Sequence, residues 1–430
     1  MFCEQRLIRL LLKLEDRTMS KLEPTNEASA MQKEISAIAE QGGGTTKVEQ
    51  LIQQYCPDGV EYKKLGEILG VNRGKRLTKA ELSEDGQYYV YHGSKDTPLG
   101  KYTQFNVKGN TTIVVNTGGI GGVKFCADDF WCSDGSFWIG HSKLLNDKYV
   151  YYFLSPLESY FASQKRVGGV PTIDRSVVEN VEIPVPPLPV QEEIARILDI
   201  LAELQAELQA ELQKRKIQYE YYRDKLLSFN DLSDRGGQIV SVEWKKLGEI
   251  GKVQMCKRIL KEQTSSTGDI PFFKIGTFGK NADAFISKDL FEEYKAKYSY
   301  PQKGDILISA AGTIGRTIVF DGQPAYFQDS NIVWLRHDET IVLNSFLRYC
   351  YELSPWFVST GGTIARLYND NILNAVIPVP PIEEQRKIVD LLDRFNALTN
   401  DLSQGLPAEI EARRKQYEYY RDKLLTFKQK

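Results

Sequence analysis

"YEYYRDKLL" occupies residues 219–227, and the same nine letters return at 417–425. An identical nonapeptide at that distance marks an internal repeat, and the repeat widens when the flanks are aligned. "EYKKLGEI" at 61–68 answers "EWKKLGEI" at 243–250, and "GGVPTIDRSVVENVEIPVPP" at 168–187 answers "GGTIARLYNDNILNAVIPVPP" at 361–381. "PVQEEIARILDIL" at 189–201 answers "IEEQRKIVDLLDRF" at 382–395. Between these anchors the copies diverge. The chain is therefore two units with matching ends and different middles.

The middles predict mixed α/β units with short strands. "TTIVVNTGGIGGVKF" at 111–125 parallels "GDILISAAGTIGRTIVF" at 304–320: a β-branched run, a glycine turn, a second β run. "FWCSDGSFWI" at 130–139 parallels "AYFQDSNIVWL" at 325–335. Short helices are expected at 148–164 and 344–359. The tyrosines at 88, 89, 91 and 102 are expected in strand cores rather than stacked on bases.

Each "PVPP" is a stop, because successive prolines lack amide donors and hold the backbone extended. A helix follows each. From Ile194 the heptad core positions run through Leu198, Leu201, Gln205, Leu208, Leu212, Arg215, Tyr219, Tyr222 and Leu226, and eight of these ten, all but Gln205 and Arg215, are apolar or aromatic, a coiled-coil seam. The second helix is expected from about 382 to 427, with Ile388, Leu392, Phe395, Leu402, Tyr417, Tyr420 and Leu424 on one face and "GLP" at 405–407 as a kink. The simplest packing sets the two helices against each other as an antiparallel coiled coil with approximate two-fold symmetry. The expected fold is α+β: two mixed domains in tandem, each followed by a long helix. The expected boundaries are an extension and linker at 1–47, a domain at 48–187, a central helix at 188–234, a second domain at 235–381 and a C-terminal helix at 382–430.

Composition narrows the function classes. The 430 residues are 42% hydrophobic and 26% charged, as in ordinary globular proteins, and no apolar run approaches the length of a membrane span. "RLIRLLLKLEDR" at 6–17 is broken by Arg9 and Lys13 and lacks a cleavage site, so it reads as an amphipathic helix or as sequence upstream of a start at Met19. Six scattered cysteines without a CxxC pair argue for reduced thiols, a cytoplasmic setting and no structural zinc. The net charge of −2 leaves nucleic acid open, since local patches rather than totals meet phosphates. There is no Walker A sequence, and "NTGGIGG" at 116–122 lies between two β runs, where a tight turn is expected rather than a phosphate cradle. No catalytic constellation is legible, so no catalysis is expected from this chain alone.

The tandem layout, the "KKLGEI" opening of each unit, and "IPVPPLPVQEEIARIL" with "IPVPPIEEQRKIVDLL" resemble the specificity subunits of type I DNA restriction–modification systems over about residues 48–428. The resemblance implies that each variable unit is a target recognition domain reading one half of a split double-stranded DNA sequence. It implies that the helices space the two halves and dock two methyltransferase subunits, with restriction subunits joining that core. N6-adenine methylation and ATP-driven cleavage would belong to those partners, with S-adenosylmethionine, ATP and Mg bound there. The related subunits carry four-residue repeats like "AELQAELQAELQ" at 202–213, whose copy number tunes the spacer. Four helical residues advance about 6 Å and turn ~40° past a full revolution, close to the rotation of about 34–36° per DNA base pair.

The resemblance supplies no base-reading motif, so candidates come from chemistry: Lys and Arg for phosphates, donors on rigid turns for base edges. Arg73, Lys75, Arg76 and Lys79 have no acid between them, and Lys257, Arg258 and Lys261 stand at the matching place in the second unit. Lys165 and Arg166 precede one glycine loop, Arg366 follows another, and Lys124 and Arg316 close glycine turns. Tyr219, Tyr221, Tyr222 and Arg223, with Tyr417, Tyr419, Tyr420 and Arg421, are the candidate protein-docking set, some of them in the seam. A stand-alone pseudo-dimeric DNA-binding regulator is the alternative, and a coiled-coil scaffold without DNA a third reading, which the matched basic clusters oppose.

Overall fold

The structure, a computed structural model, describes residues 47–166, 168–229, 241–357, 366–400 and 405–430. The expected helix at 6–17, the linker up to residue 46, the end of the central helix at 230–234, the loop at 361–365 and the seam residue Leu402 lie outside the described residues. Contacts gather the chain into two compact units. Among the described residues, one joins Lys47–Ala210 with Glu409–Lys430; the other holds Glu211–Ala408. We call them the N-terminal and C-terminal units. The boundary falls inside the helix Leu188–Ser228, within the four-residue repeats. The nonapeptide at 219–227 therefore belongs with the second domain, and its copy at 417–425 with the first.

The two units have one topology despite their divergent middles. The N-terminal unit has an antiparallel sheet in the order Val71–Arg73, Ser136–Ile139, Thr111–Val115, Val123–Cys126. Beside it stands a mixed sheet in the order Gly100–Tyr102, Tyr88–Tyr91, Trp131–Cys132. The C-terminal unit repeats this order with Gly251–Gln254, Ile332–His337, Ile306–Ser309 and Thr317–Val319, and with Phe285–Ile286, Ile270–Phe273 and Tyr326–Phe327. The "KKLGEI" anchors explain why the ends match. In each unit the lysine-bearing strand pairs antiparallel with the "IPV" strand, Tyr62–Lys64 with Glu182–Pro184 and Glu243–Lys246 with Val376–Val379. The leucine that follows, Leu65 or Leu247, is wholly buried.

The proline stops have a partner that sequence reasoning missed. Gln191 is fully buried, and its amide nitrogen donates to the carbonyls of Pro186 (2.6 Å) and Leu144 (2.9 Å) while its oxygen accepts from Asn146 N (2.8 Å). Gln385 does the same with Pro380 (2.8 Å), Ile341 (2.9 Å) and Leu343 N (2.9 Å). One side chain thus fastens each helix start to its domain. A second fastening lies further along. Tyr152 Oη donates to Asp199 at 2.5 Å, with Lys148 on the other carboxylate oxygen at 2.6 Å, and Tyr349 donates to Asp393 in the other unit.

The heptad seam buries as expected at Ile194, Leu198, Leu201 and Tyr219. In the N-terminal unit the packed segments run antiparallel. Tyr417 packs near Asp199, while Lys423 pairs with Glu49 on the helix Lys47–Tyr55, whose Lys47 reaches back to Glu193. In the C-terminal unit Tyr222 stacks on Phe395, ring centroids 6.0 Å apart. The expected single helix from 382 to 427 is instead two, Ile382–Asn400 and Leu406–Leu425. Pro407 accounts for the second start, since proline is favoured in a first helical turn, where its missing N–H costs nothing. The helix expected to 359 ends at Glu352.

Candidate nucleic-acid interface

Register shows which side chains correspond. Trp138 lies opposite Asn72 and Ile113; Trp334 lies opposite Gln254 and Leu307. Counting on from Asn72 and Gln254 pairs Lys75 with Lys257, Arg76 with Arg258 and Lys79 with Lys261. Both runs end in a 3-10 turn, Lys79–Glu81 or Lys261–Gln263, closed by the same bond. Thr78 N donates to Glu81 (2.7 Å), and Leu260 N to Gln263 (2.8 Å). All these basic residues are exposed, as is Arg73. Lys257 lies 5.1 Å from the Tyr298 ring centroid.

The run is pinned to a group of turns. Lys75 N donates to Cys132 O (2.9 Å), Trp131 Nε1 to Lys75 O (2.9 Å), Leu77 N to Ser133 Oγ (3.4 Å) and Arg73 Nε to Asp134 O (3.3 Å). Because Tyr88–Tyr91 and Trp131–Cys132 run parallel, both strands release their chains on the same side. The turn at 133–135 there meets the one after Tyr91, the glycine hairpin at 116–122 and the segment 171–173. Gly119 N donates to Gly93 O (2.7 Å), Asn116 Nδ2 to Asp134 O (3.1 Å) and Ile173 N to Asn116 O (3.0 Å). Glycine is required where Gly118 adopts φ +81°, and an added Cβ would stand 2.6 Å from Gly93 O.

The C-terminal unit closes the same four turns with equivalent backbone bonds and different side chains. Ile275 N donates to Gln328 Oε1 (3.0 Å), Ala310 N to Asn331 O (2.8 Å) and Leu367 N to Ala310 O (2.9 Å). Arg366 donates to Ser330 O at 2.7 Å.

The remaining candidates divide. Lys165, Arg166 and Arg316 are exposed. Arg166 forms an ion pair with Asp174, and Arg316 donates to Gly279 O at 3.4 Å. Lys124 is not at a turn end: it lies within the strand Val123–Cys126, 5.3 Å from the Tyr91 ring centroid. Tyr89, expected in a core, is 49% exposed, with Lys101 over its ring.

The docking set splits by helix face. Tyr221 and Tyr419 are 60% and 62% exposed at equivalent positions. Tyr219 turns inward and donates to Glu352 at 2.7 Å, and Tyr417 packs on the N-terminal core, where burial pushes its phenol up to about 12. Tyr222 and Tyr420 are part-buried against the cores. Arg223 and Arg421 lie over the Tyr219 and Tyr417 rings, and Arg223 also reaches Glu352 at 3.4 Å. Four of the eight, the two inner tyrosines and the two arginines, are thus committed to their own unit. Among the described residues no His, Cys, Asp and Glu cluster fits a metal ion, and no helix is long and apolar enough to cross a membrane.

This repeated architecture matches a known family twice over. The type I restriction modification DNA specificity domain matches residues 57–215 and again 240–412. The chain belongs to the type I restriction–modification specificity subunits. A specificity subunit of a type I restriction enzyme from Haemophilus influenzae is 44% identical over 385 residues, 86% of this chain and 96% of that protein. Among solved structures, a type I S subunit from M. genitalium has a TM-score of 0.57 at 17% identity, covering 86% of this chain and 97% of that one. A chain from a study of complex assembly and conformational transition in the type I system has a TM-score of 0.52 at 20% identity, covering 86% of this chain and 98% of that one. At those identities the structures speak for the shared fold.

Proposed function

We propose that this specificity subunit reads a bipartite double-stranded DNA target, one half with each unit, and docks two methyltransferase subunits and the restriction subunits. The basic run supplies phosphate contacts, and the four turns beside it present side chains to base edges. The observation that carries this reading is the pairing of Lys75, Arg76 and Lys79 with Lys257, Arg258 and Lys261 on one scaffold, next to turns whose side chains differ. A shared phosphate grip with unshared side chains is what two half-sites of different sequence require.

The outward Tyr221 and Tyr419, repeated at equivalent helix positions, support two equivalent docking sites for methyltransferase. In the assembled complex the partners bring S-adenosylmethionine for adenine N6 methylation, and ATP with Mg for cleavage. Isolation of the complex from its host through a tag on this chain tests the reading. A native mass with two methyltransferases per chain, and a host genome methylated at a split adenine-containing motif, is the expected result. A complex with one methyltransferase overturns the docking assignment, and methylation without a split motif overturns the bipartite reading.

A further inference from the structure

The turns of the N-terminal unit hold one side-chain pair that the basic run does not explain, His92 and Asp134. Gly135 N donates to His92 Nδ1 at 3.2 Å, so that nitrogen is an acceptor and the ring's proton lies on Nε2. Ser133 Oγ lies 3.2 Å from the same nitrogen and donates to the Asp134 carboxylate, also at 3.2 Å. The imidazole nitrogen and the carboxylate oxygen are 3.4 Å apart. The frame behind them is rigid. The Asp134 carbonyl accepts from Arg73 Nε and Asn116 Nδ2, and a Cβ at position 135 would stand 2.7 Å from His92 Nδ1. Only a glycine leaves room for the ring. His92 and Asp134 still expose 37% and 29% of their side chains.

We infer, resting on the DNA-reading function proposed above, that His92 and Asp134 together read one base pair in the N-terminal half-site. The imidazole Nε2–H is a donor, and the carboxylate accepts only. Such a pair complements a major-groove edge that sets an acceptor beside an amino group. Adenine presents it as N7 with N6, and a G·C pair as guanine O6 with cytosine N4. In the C-terminal unit Lys274 stands in the place of His92, and the turn after Phe327 is one residue longer than the one after Cys132; Lys274 is drawn to Asp283 at 2.8 Å and Arg366 enters the frame, so that half-site is read with different groups.

The test is selection from a randomised duplex pool by the complex isolated from its host, carrying wild-type chain, His92→Gln or Asp134→Asn. The substitutions keep size, and the half-site read by the C-terminal unit reports folding within the same experiment. Wild type is expected to select a split motif. Each variant is expected to lose roughly 10- to 100-fold discrimination at one position of one half, the scale of a paired base contact, with the other half unchanged. Adenine at the relaxed position identifies the N7–N6 edge; G·C identifies the O6–N4 edge. Both support the assignment. Variants that select the wild-type motif with uniformly weaker binding overturn it and make the pair structural or phosphate-directed. A wild type that selects no motif overturns the DNA-reading function itself, and the assignment with it.

Discussion

The N-terminal and C-terminal units are one scaffold carrying two sets of side chains. Both have the same strand order, the buried glutamine at the helix start, the tyrosine–aspartate bond further along, and the basic run ending in a 3-10 turn. They differ at the turns, where His92 and Thr172 face Lys274 and Arg366, and where the three residues 133–135 face the four residues 328–331. They differ also at the helix contact, where Glu352 receives Tyr219 and Arg223 but Ser155 stands at the matching place in the N-terminal unit. The difference teaches that backbone hydrogen bonds and core packing maintain the scaffold, leaving the turn residues free to vary.

That comparison can be broken at several depths. The largest effect is expected in the shared core: Leu65→Ala and Leu247→Ala remove equivalent, fully buried leucines and should each cost about 2–5 kcal/mol in their own unit. Hydrogen exchange followed separately over 60–185 and 243–381 checks this; loss of protection in the unmutated unit would mean the two do not fold independently. Gln191→Ala and Gln385→Ala should follow at about 1–3 kcal/mol, because each strands a buried amide and carbonyls. Matching losses in thermal melts would sharpen the equivalence, and a cost at only one position would break it.

Surface charge comes next. Neutralising Arg76 and Lys79 should flatten the slope of log K against log salt by about 0.9 per lost phosphate contact, and neutralising Arg258 and Lys261 should do the same. Equal slope changes would show one grip repeated; an unchanged slope would leave the runs as solvated surface. The smallest change is geometric. Deleting Ala210–Gln213 from the helix should shorten the spacer by about one base pair and keep both half-sites, with some bending absorbing the mismatch in rise. Methylation mapping that returns the original spacer would remove the helix from that role.

Much of this scaffold was legible in the sequence. Matched ends identified the repeat, glycine turns between β-branched runs identified the hairpins, and the basic runs were found from unbroken charge. What was hidden depended on side-chain direction and on the pairing of distant segments. Tyr219 and Tyr221 look alike in a string, yet two residues turn a helix by about 200° and send one to Glu352 and the other to solvent. His92 and Asp134 are 42 residues apart and meet only because their strands run parallel. Gln191 reads as a polar helix residue until its three partners are seen. The grouping of 417–425 with the first domain likewise has no local signal.

The central claim is that each unit reads its own half of the target on a common scaffold. Replacing residues 60–185 with the matching unit of a relative of known target, then mapping methylated adenines in cells, tests it most directly. The account predicts that one half of the motif becomes the relative's and the other stays unchanged. A folded, active chimera that alters both halves, or neither, would contradict it.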